Sequence, residues 1–179
     1  VPSYSLSFDG VDDYVDIRAA DGTEPAGLPL GSSARTIAAW IKPPSQGASK
    51  IISYGNNAAR AACIFIQQDL KLRMDVYGET PTSGNFVVLD EWQLVSAVLD
   101  GSTGVKMYRN TTEVFSGTFT GDLATAHGTY YSTIGAHNYN GTPGAFYQGF
   151  MDNMAVWDAE LDADAITAIY NSGAPIDLT

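Results

Sequence analysis

Basic residues are scarce in this sequence, and their scarcity limits the partners that it can bind. The 179 residues include 9 Lys and Arg against 20 Asp and Glu, so the formal net charge is −11. Proteins that bind nucleic acid neutralise phosphates with clustered Lys and Arg, and the sequence has no such cluster. The composition therefore argues against a nucleic-acid partner, and it disfavours polyanionic glycans for the same reason.

Cysteine and long apolar stretches are also nearly absent. Cys63 is the one cysteine, so no internal disulfide forms, and the apolar run 61–66 around it indicates a buried, unreactive thiol. No apolar run reaches the ~18 residues of a membrane-spanning helix, so we expect no membrane insertion. Neither an initiator Met nor a signal-peptide pattern stands at Val1, so we expect a mature chain or a module cut from a larger protein.

Signatures of catalysis are missing as well. Only His127 and His137 are available, and no Gly-x-Ser-x-Gly motif, phosphate-binding glycine loop, zinc-type cluster or EF-hand loop occurs. Glu160, Asp162 and Asp164 have the alternate spacing of carboxylates on a hydrolase strand, but they fall where a loop meets a predicted helix, so we interpret them as capping residues. The sequence therefore predicts no catalytic residues and no enzyme activity.

What the sequence does contain is a series of short strands separated by Gly, Pro, Asn and Asp. Turn residues recur roughly every 8–12 residues, which is typical of a sandwich or jelly roll. We predict an all-β fold, an antiparallel β-sandwich (jelly roll) of about a dozen strands, in a single domain over 1–179 with 1–3 and 174–179 as linker remnants. The predicted strands are 4–8, 14–17, 36–42, 50–54, 63–67, 71–77, 86–89, 92–99, 105–109, 113–120, 130–136 and 146–157.

One short C-terminal helix is predicted over 161–171. Asp162 is suited to the N-cap, and Ile166, Ile169 and Tyr170 recur at the spacing of one apolar helix face. Gly173 is the expected C-terminal stop. The helix is expected to pack against the sandwich.

Acidic residues crowd the first predicted turn. Asp9-Gly10 is a strong turn dipeptide, and Asp9, Asp12, Asp13 and Asp16 lie within eight residues. Like charges this close repel each other unless they point into water or share a cation. Both outcomes are open at this point.

Five stretches, taken in order, resemble one known family. They are Phe8-Asp-Gly-Val-Asp-Asp-Tyr-Val15, the Trp-bearing strand 35–43, the hairpin 91–108, Thr133-Ile-Gly135 and the closing segment 146–170. Together they resemble a laminin-G-like jelly-roll domain of the concanavalin A-like lectin/glucanase superfamily. The family often has Asn-Gly where this chain has Asn110-Thr-Thr112, and Asn110 and Asn140 each begin a glycosylation sequon. The resemblance is specific for fold but less so for function, because this fold hosts lectins, adhesion modules and enzymes.

The resemblance implies a structural Ca²⁺ between the first turn and the last strand. Its side-chain ligands would come from Asp9, Asp12, Asp13 and Asp152, with backbone carbonyls completing the 6–8 oxygens that calcium takes. The alternative is that Asp9 shapes the turn, Asp13 caps backbone amides and Asp152 is solvated.

Three predicted loops carry the chemistry of a sugar site, which pairs aromatic rings with amides, carboxylates and guanidinium groups. Ordinary turn composition is the alternative explanation, because Asn and Gly are what turns need. The candidate ligand-binding residues are Tyr54, Asn56 and Asn57 in the first loop, Tyr77 in the second, His137, Asn138 and Tyr139 in the third, and Arg73 and Asp75 on a strand between the first two.

We therefore expect a non-catalytic, lectin-like carbohydrate-binding module of a secreted or cell-surface protein, with a structural calcium and a glycan or polysaccharide as partner. One alternative is an adhesion module whose partner is a protein. The other is a glycoside hydrolase or polysaccharide lyase whose site has no recognised signature.

Overall fold

The computed structural model describes residues 4–19, 22, 25–45, 47, 49–56, 61–76, 79–120, 125, 132–139 and 142–175. Thirteen strands in this part of the chain pair antiparallel in a six-stranded sheet, a five-stranded sheet and a two-stranded ribbon. The strands are β1 (Leu6–Asp9), β2 (Val15–Asp16), β3 (Arg35–Lys42), β4 (Ser49–Asn56), β5 (Ala61–Gln68), β6 (Lys71–Val76), β7 (Gln93–Leu99), β8 (Gly104–Arg109), β9 (Thr112–Thr118), β10 (Thr133–Ile134), β11 (His137–Tyr139), β12 (Thr142–Gly144) and β13 (Gln148–Trp157).

Strands that are distant in sequence lie side by side in both large sheets. The six-stranded sheet has the order β1-β13-β3-β7-β8-β9, and the five-stranded sheet has the order β2-β10-β4-β5-β6. Ile37 and Val95 from the first sheet share one buried cluster with Phe65 and Met74 from the second, so the core lies between the sheets. The predicted all-β sandwich is confirmed.

Alternation along β6 separates core residues from the outer surface. Leu72, Met74 and Val76 are fully buried, while Arg73 and Asp75 between them are only partly buried. Successive side chains of a strand point to opposite faces, so Arg73 and Asp75 lie on the outer face of the five-stranded sheet. This face matters for the site described below.

A helix covers the outer face of the six-stranded sheet. The helix α1 (Ala163–Tyr170) begins after Asp162, whose carboxylate accepts a hydrogen bond from the Ala165 backbone N–H at 2.8 Å. Trp40 stacks on Tyr170 with 5.7 Å between ring centroids. The predicted N-cap is confirmed, but the helix ends earlier than predicted, at the left-handed Asn171, and a 3-10 turn Asn171–Gly173 follows. No helix among the described residues is long and apolar enough to span a bilayer.

Two predicted segments differ in the structure. The predicted strand 86–89 is not a strand, because the backbone N–H groups of Phe86 and Val87 both donate to the Leu70 carbonyl instead of a neighbouring ladder. Of the loop predicted at 137–141, the described residues 137–139 form the strand β11, in which His137 pairs with Gly144 of β12. Pro143 and Gly144 are unusual strand residues, so the sequence did not predict β12.

Candidate functional site

Charged side chains gather on the outer face of the five-stranded sheet. On β4 and β6, Lys50 and Arg73 both pair with Ile66 of the intervening strand β5. Asp75 is two residues from Arg73 on β6, and its charge acts on Lys50. The charge of Lys50 also acts on His137, the first residue of β11. We call Lys50, Arg73, Asp75 and His137 the charged cluster.

Burial makes the charged forms of two cluster members unfavourable. Burial lowers the pKa of the Lys50 ammonium, although the Asp75 carboxylate nearby opposes this effect. Burial likewise raises the pKa of Asp75, and the positive charge of Lys50 offsets only part of it. Among the described residues, no salt bridge within 4.0 Å joins them and neither side chain makes a hydrogen bond. Half-buried charges normally have hydrogen-bond or ion-pair partners. Because Lys50 and Asp75 have none among the described residues, both side chains can still form hydrogen bonds with a ligand.

Arg73 is held in place from one side. Its Nη1 donates to Gln68 Oε1 at 3.0 Å, and its Nη2 lies 3.6 Å from the Asp69 carboxylate. The Arg73 Nε–H is buried and has no acceptor among the described residues. A guanidinium has five donors in a planar fork, so the Nη donors that these two contacts leave unused are the ones that a ligand oxygen can bond.

His137 contributes a neutral ring at physiological pH. Burial, together with the positive charge of Lys50, lowers its pKa from 6.5 to about 4. A neutral imidazole has one donor and one acceptor nitrogen. The cluster therefore combines cationic donors, a carboxylate acceptor and an uncharged ring, which is the functional-group set that binds hydroxyl-rich ligands.

The remaining predicted ligand residues are placed differently. Tyr54 is 1% exposed, and its hydroxyl accepts a hydrogen bond from Arg35 Nη1 at 3.2 Å inside the sandwich. It lies within β4 rather than in a loop, and the alternation of that strand turns it inward, so it offers no aromatic platform to a ligand. Asn57 and Tyr77 lie outside the described residues. Asn56 ends β4, and Asn138 and Tyr139 continue β11, each described by its backbone.

Lys50 was missed by the sequence reasoning, which used it only as the first residue of a strand. The signal was present, because Lys50 is a charged residue beside the apolar pair Ile51 and Ile52. A lysine at such a position normally extends into water. Only the pairing of β5 with both β4 and β6 shows that Arg73 and Asp75 lie near it.

The first turn brings three carboxylates together, which we call the acidic turn. One oxygen each from Asp9, Asp12 and Asp13 lies within 4.8 Å of the others, and all three residues are exposed. Asp9 Oδ1 accepts from the Val11 N–H at 2.7 Å, and Asp13 Oδ2 accepts from the Asp9 N–H at 3.0 Å. The hydrogen bond from Val11 is the main cause that lowers the pKa of Asp9. Turn shaping and amide capping are thus observed, and the oxygens are of the type that calcium prefers.

Asp152 lies away from the acidic turn. Asp9 pairs with Gln148 across β1 and β13, and Asp152 is four residues farther along β13, opposite Trp40. At about 3.3 Å per residue this is a displacement of ~13 Å. The Asp152 carboxylate accepts a hydrogen bond from the Asn153 N–H at 2.8 Å. The structure therefore brings three of the four predicted metal ligands together.

Two antiparallel sheets packed face to face around a shared core define the class of jelly-roll β-sandwiches. A laminin G family model, described as the concanavalin A-like lectin/glucanases superfamily, matches residues 9–167. The chain belongs to that superfamily. No curated protein sequence matches the chain.

Several solved structures share the fold at low sequence identity. The carbohydrate-binding module CBM40 of the Ruminococcus gnavus IT-sialidase, bound to alpha2,3 sialyllactose, is similar with a TM-score of 0.70 and 14% identity over 93% of this chain and 95% of that chain. A heptameric SAP-like pentraxin from Limulus polyphemus has a TM-score of 0.67 and 15% identity over 92% of this chain and 80% of that chain. NanB sialidase from Streptococcus pneumoniae has a TM-score of 0.68 and 15% identity, but this chain covers 27% of it. At these identities the likeness shows the fold alone.

Proposed function

We propose that the chain is a non-catalytic carbohydrate-binding module of a secreted or cell-surface protein, and that it binds a glycan on the charged cluster. The observation that carries this proposal is the pair Lys50 and Asp75, two half-buried charges without a salt bridge or side-chain hydrogen bond among the described residues. Sugar hydroxyls donate to Asp75 and accept from Lys50 and Arg73. The neutral His137 ring lies near Lys50 and adds no charge of its own to the site.

The ligand that suits this cluster is a glycan with one carboxylate. The Lys50 ammonium has no salt-bridge partner among the described residues, so it can pair with an anionic group of a ligand. The planar guanidinium of Arg73 has the geometry that matches a carboxylate. A single carboxylate fits this local arrangement, whereas the net charge of −11 repels a polyanion. The shared fold with a module bound to alpha2,3 sialyllactose supports a sialylated glycan as the first one to test.

Titration calorimetry with alpha2,3 sialyllactose, and with lactose as the uncharged counterpart, tests this proposal. We expect sialyllactose to bind and lactose to bind at least roughly tenfold more weakly, because lactose lacks the group that pairs with Lys50. Equal binding of both sugars would show that the carboxylate of the ligand contributes nothing to the affinity. A glycan array without any binder, together with capture of a polypeptide ligand, would favour the adhesion alternative.

The absence of turnover is supported by the carboxylates of the cluster. Asp75 is the only carboxylate in it, and hydrolysis of a glycosidic bond normally uses two facing acids. We expect polysaccharides to keep their chain length on incubation with the protein. Shortened chains would contradict the non-catalytic role.

We further propose that the acidic turn binds a structural calcium ion. The support is the approach of the Asp9, Asp12 and Asp13 oxygens to within 4.8 Å, together with the repulsion that a cation would relieve. The ion would stabilise the turn that follows β1.

A further inference from the structure

A pocket of about 390 Å³ opens at the corner where the turn after β1, the connection between β3 and β4, and the start of β13 meet. Its polar and aromatic lining comes from Asp9, Ser45, Ser49, Phe146 and Gln148. Ligand pockets span about 300–1,000 Å³, so this one has the size for a small ligand. None of these residues except Asp9 figures in the sites described above. We call it the corner pocket.

The corner pocket offers hydrogen-bonding groups that are oriented in advance. Ser45 Oγ donates to Gln148 Oε1 at 3.1 Å, which fixes the amide and leaves its N–H₂ group for a ligand oxygen. Ser49 Oγ donates its hydrogen to the Gly47 carbonyl at 3.3 Å. This hydrogen bond leaves the lone pairs of the Ser49 hydroxyl oxygen able to accept from a ligand. Asp9 is the only charged residue among the described lining residues. The pocket therefore favours neutral hydroxyl groups over anions.

An aromatic wall completes the lining. Phe146 lies in the pocket, and Tyr14 packs against it with 6.4 Å between ring centroids and an interplanar angle of 37°. Tyr14 is 38% exposed. The apolar face of a sugar ring packs on such a ring while its hydroxyl groups reach polar neighbours.

Two glycines allow the walls of the pocket to approach each other. Gly10 has φ +81, and a Cβ there would lie 2.9 Å from the Gln148 Cβ. Gly149 has φ +121, and a Cβ there would collide with the Lys42 carbonyl and with Pro44. Both positions favour glycine for their backbone conformation as well. A side chain at Gly10 would therefore push the turn away from Gln148, and one at Gly149 would push β13 away from the segment 42–44.

From this arrangement we infer that the corner pocket is a second ligand site, and that it binds an uncharged, hydroxyl-rich sugar ring. The Gln148 amide and the Ser45 and Ser49 hydroxyls bond ring hydroxyls, Asp9 accepts from one of them, and Phe146 packs against the C–H face. This site does not depend on the charged cluster, because none of its lining groups belongs to that cluster.

Titration of the ¹⁵N-labelled protein by NMR tests the inference, with glucose, galactose, mannose and N-acetylglucosamine added singly. Glucuronate serves as the charged counterpart of glucose, and a chelator keeps the acidic turn free of calcium, so that no cation compensates the charge of Asp9. We expect at least one neutral sugar to give saturable shifts at the Gly10 and Gly47 amides and at the Gln148 side-chain amide. Glucuronate should bind there more weakly than glucose, because Asp9 repels its carboxylate.

Two variants and two controls complete the test. Gln148→Leu removes the amide and Phe146→Leu removes the ring, so each should weaken binding roughly tenfold while the melting temperature stays near that of the wild type. Phe86→Leu, at a 43% exposed aromatic outside the pocket, should leave binding unchanged. Arg73→Gln should also leave binding in the corner pocket unchanged. The two proposed sites are therefore tested independently, and a charged cluster that binds no glycan would not count against the corner pocket. The inference is overturned if none of the four sugars shifts these amides, if Gln148→Leu binds like the wild type, or if glucuronate binds as well as glucose.

Discussion

Lys50 and Asp75 attract each other on the outer face of the five-stranded sheet, yet they form no salt bridge within the described part of the chain. Each is half-buried, and burial is the largest influence on the pKa of both. Core packing alone does not require two desolvated charges at this place. Under the proposed function, a ligand that bonds both of them supplies the partners that they lack in this part of the chain.

Neutralising either charge should stabilise the protein and weaken glycan binding. The pKa of Lys50 is lowered and that of Asp75 is raised, so at pH 7 both charged forms are less favourable in the folded chain than in the unfolded chain. We expect Lys50→Met and Asp75→Asn each to raise the melting temperature by up to about 3 °C, which is roughly 1 kcal/mol for a chain of this size. Lys106→Met, at an exposed ammonium, is the control and should change the temperature little. A lower melting temperature in both variants would show that the pair is kept for stability.

The pKa of His137 makes stability fall in mild acid. Its folded-state pKa is lowered from 6.5 to about 4, so the unfolded chain takes up a proton at this ring more readily than the folded chain does. The free energy of unfolding should therefore be highest above pH 6.5 and fall between about pH 6.5 and 4, by roughly 1–2 kcal/mol, because solvent screens a ring that is only partly buried. NMR titration of the His137 ring measures the pKa directly, and His137→Gln should flatten the decline. A ring that titrates near 6.5 would contradict this prediction.

Arg35 should be among the most sensitive positions for stability. It is fully buried, and its guanidinium donates to the Tyr54 hydroxyl at 3.2 Å, to Thr125 Oγ1 at 2.9 Å and to the Gly31 carbonyl at 2.8 Å. Lysine keeps the charge but cannot reach three separate acceptors, so Arg35→Lys should lower the free energy of unfolding by about 2–4 kcal/mol. Urea unfolding measures the loss. A loss below about 0.5 kcal/mol, the range of an ordinary surface substitution, would mean that these hydrogen bonds do not hold the loops to the core.

Calcium should stabilise the protein through the acidic turn. We expect a chelator to lower the melting temperature of the wild type and to have no effect on the double variant Asp12→Asn, Asp13→Asn, which removes two of the three clustered carboxylates. Asp158→Asn, at an exposed acid outside the turn, is the matched control and should respond to the chelator like the wild type. A wild-type melting curve that ignores the chelator, with no metal found by elemental analysis, would refute the calcium site.

Local patterns in the sequence were enough for the architecture. A strand was predicted over 71–77, and β6 is present there with Leu72 and Met74 buried. Asp162 predicted the start of the helix, because an N-cap is satisfied by the backbone three residues later. Both signals act within a few residues, so they are readable without knowing the rest of the fold.

The sequence predictions were wrong where a strand ends later than predicted and where a strand has an unusual composition. Tyr54 is both the last residue of the predicted strand 50–54 and the first of the predicted ligand loop, but β4 extends past it to Asn56, and the alternation of that strand places its ring in the core. The strand β12 was missed because Pro143 and Gly144 rarely occupy strands. No residue near Pro143 and Gly144 in the sequence indicates a strand in spite of their low preference for one.

The sites themselves were decided by tertiary structure. Lys50 and Asp75 belong to strands separated by β5, and Asp9 meets Gln148 only because β13 returns to pair with β1. The sequence by itself determined the sandwich, its helix and the crowding of acids in the first turn. Strand register and long-range pairing then decided which side chains share a surface, because contacts between residues far apart in the chain leave no periodic trace within either segment.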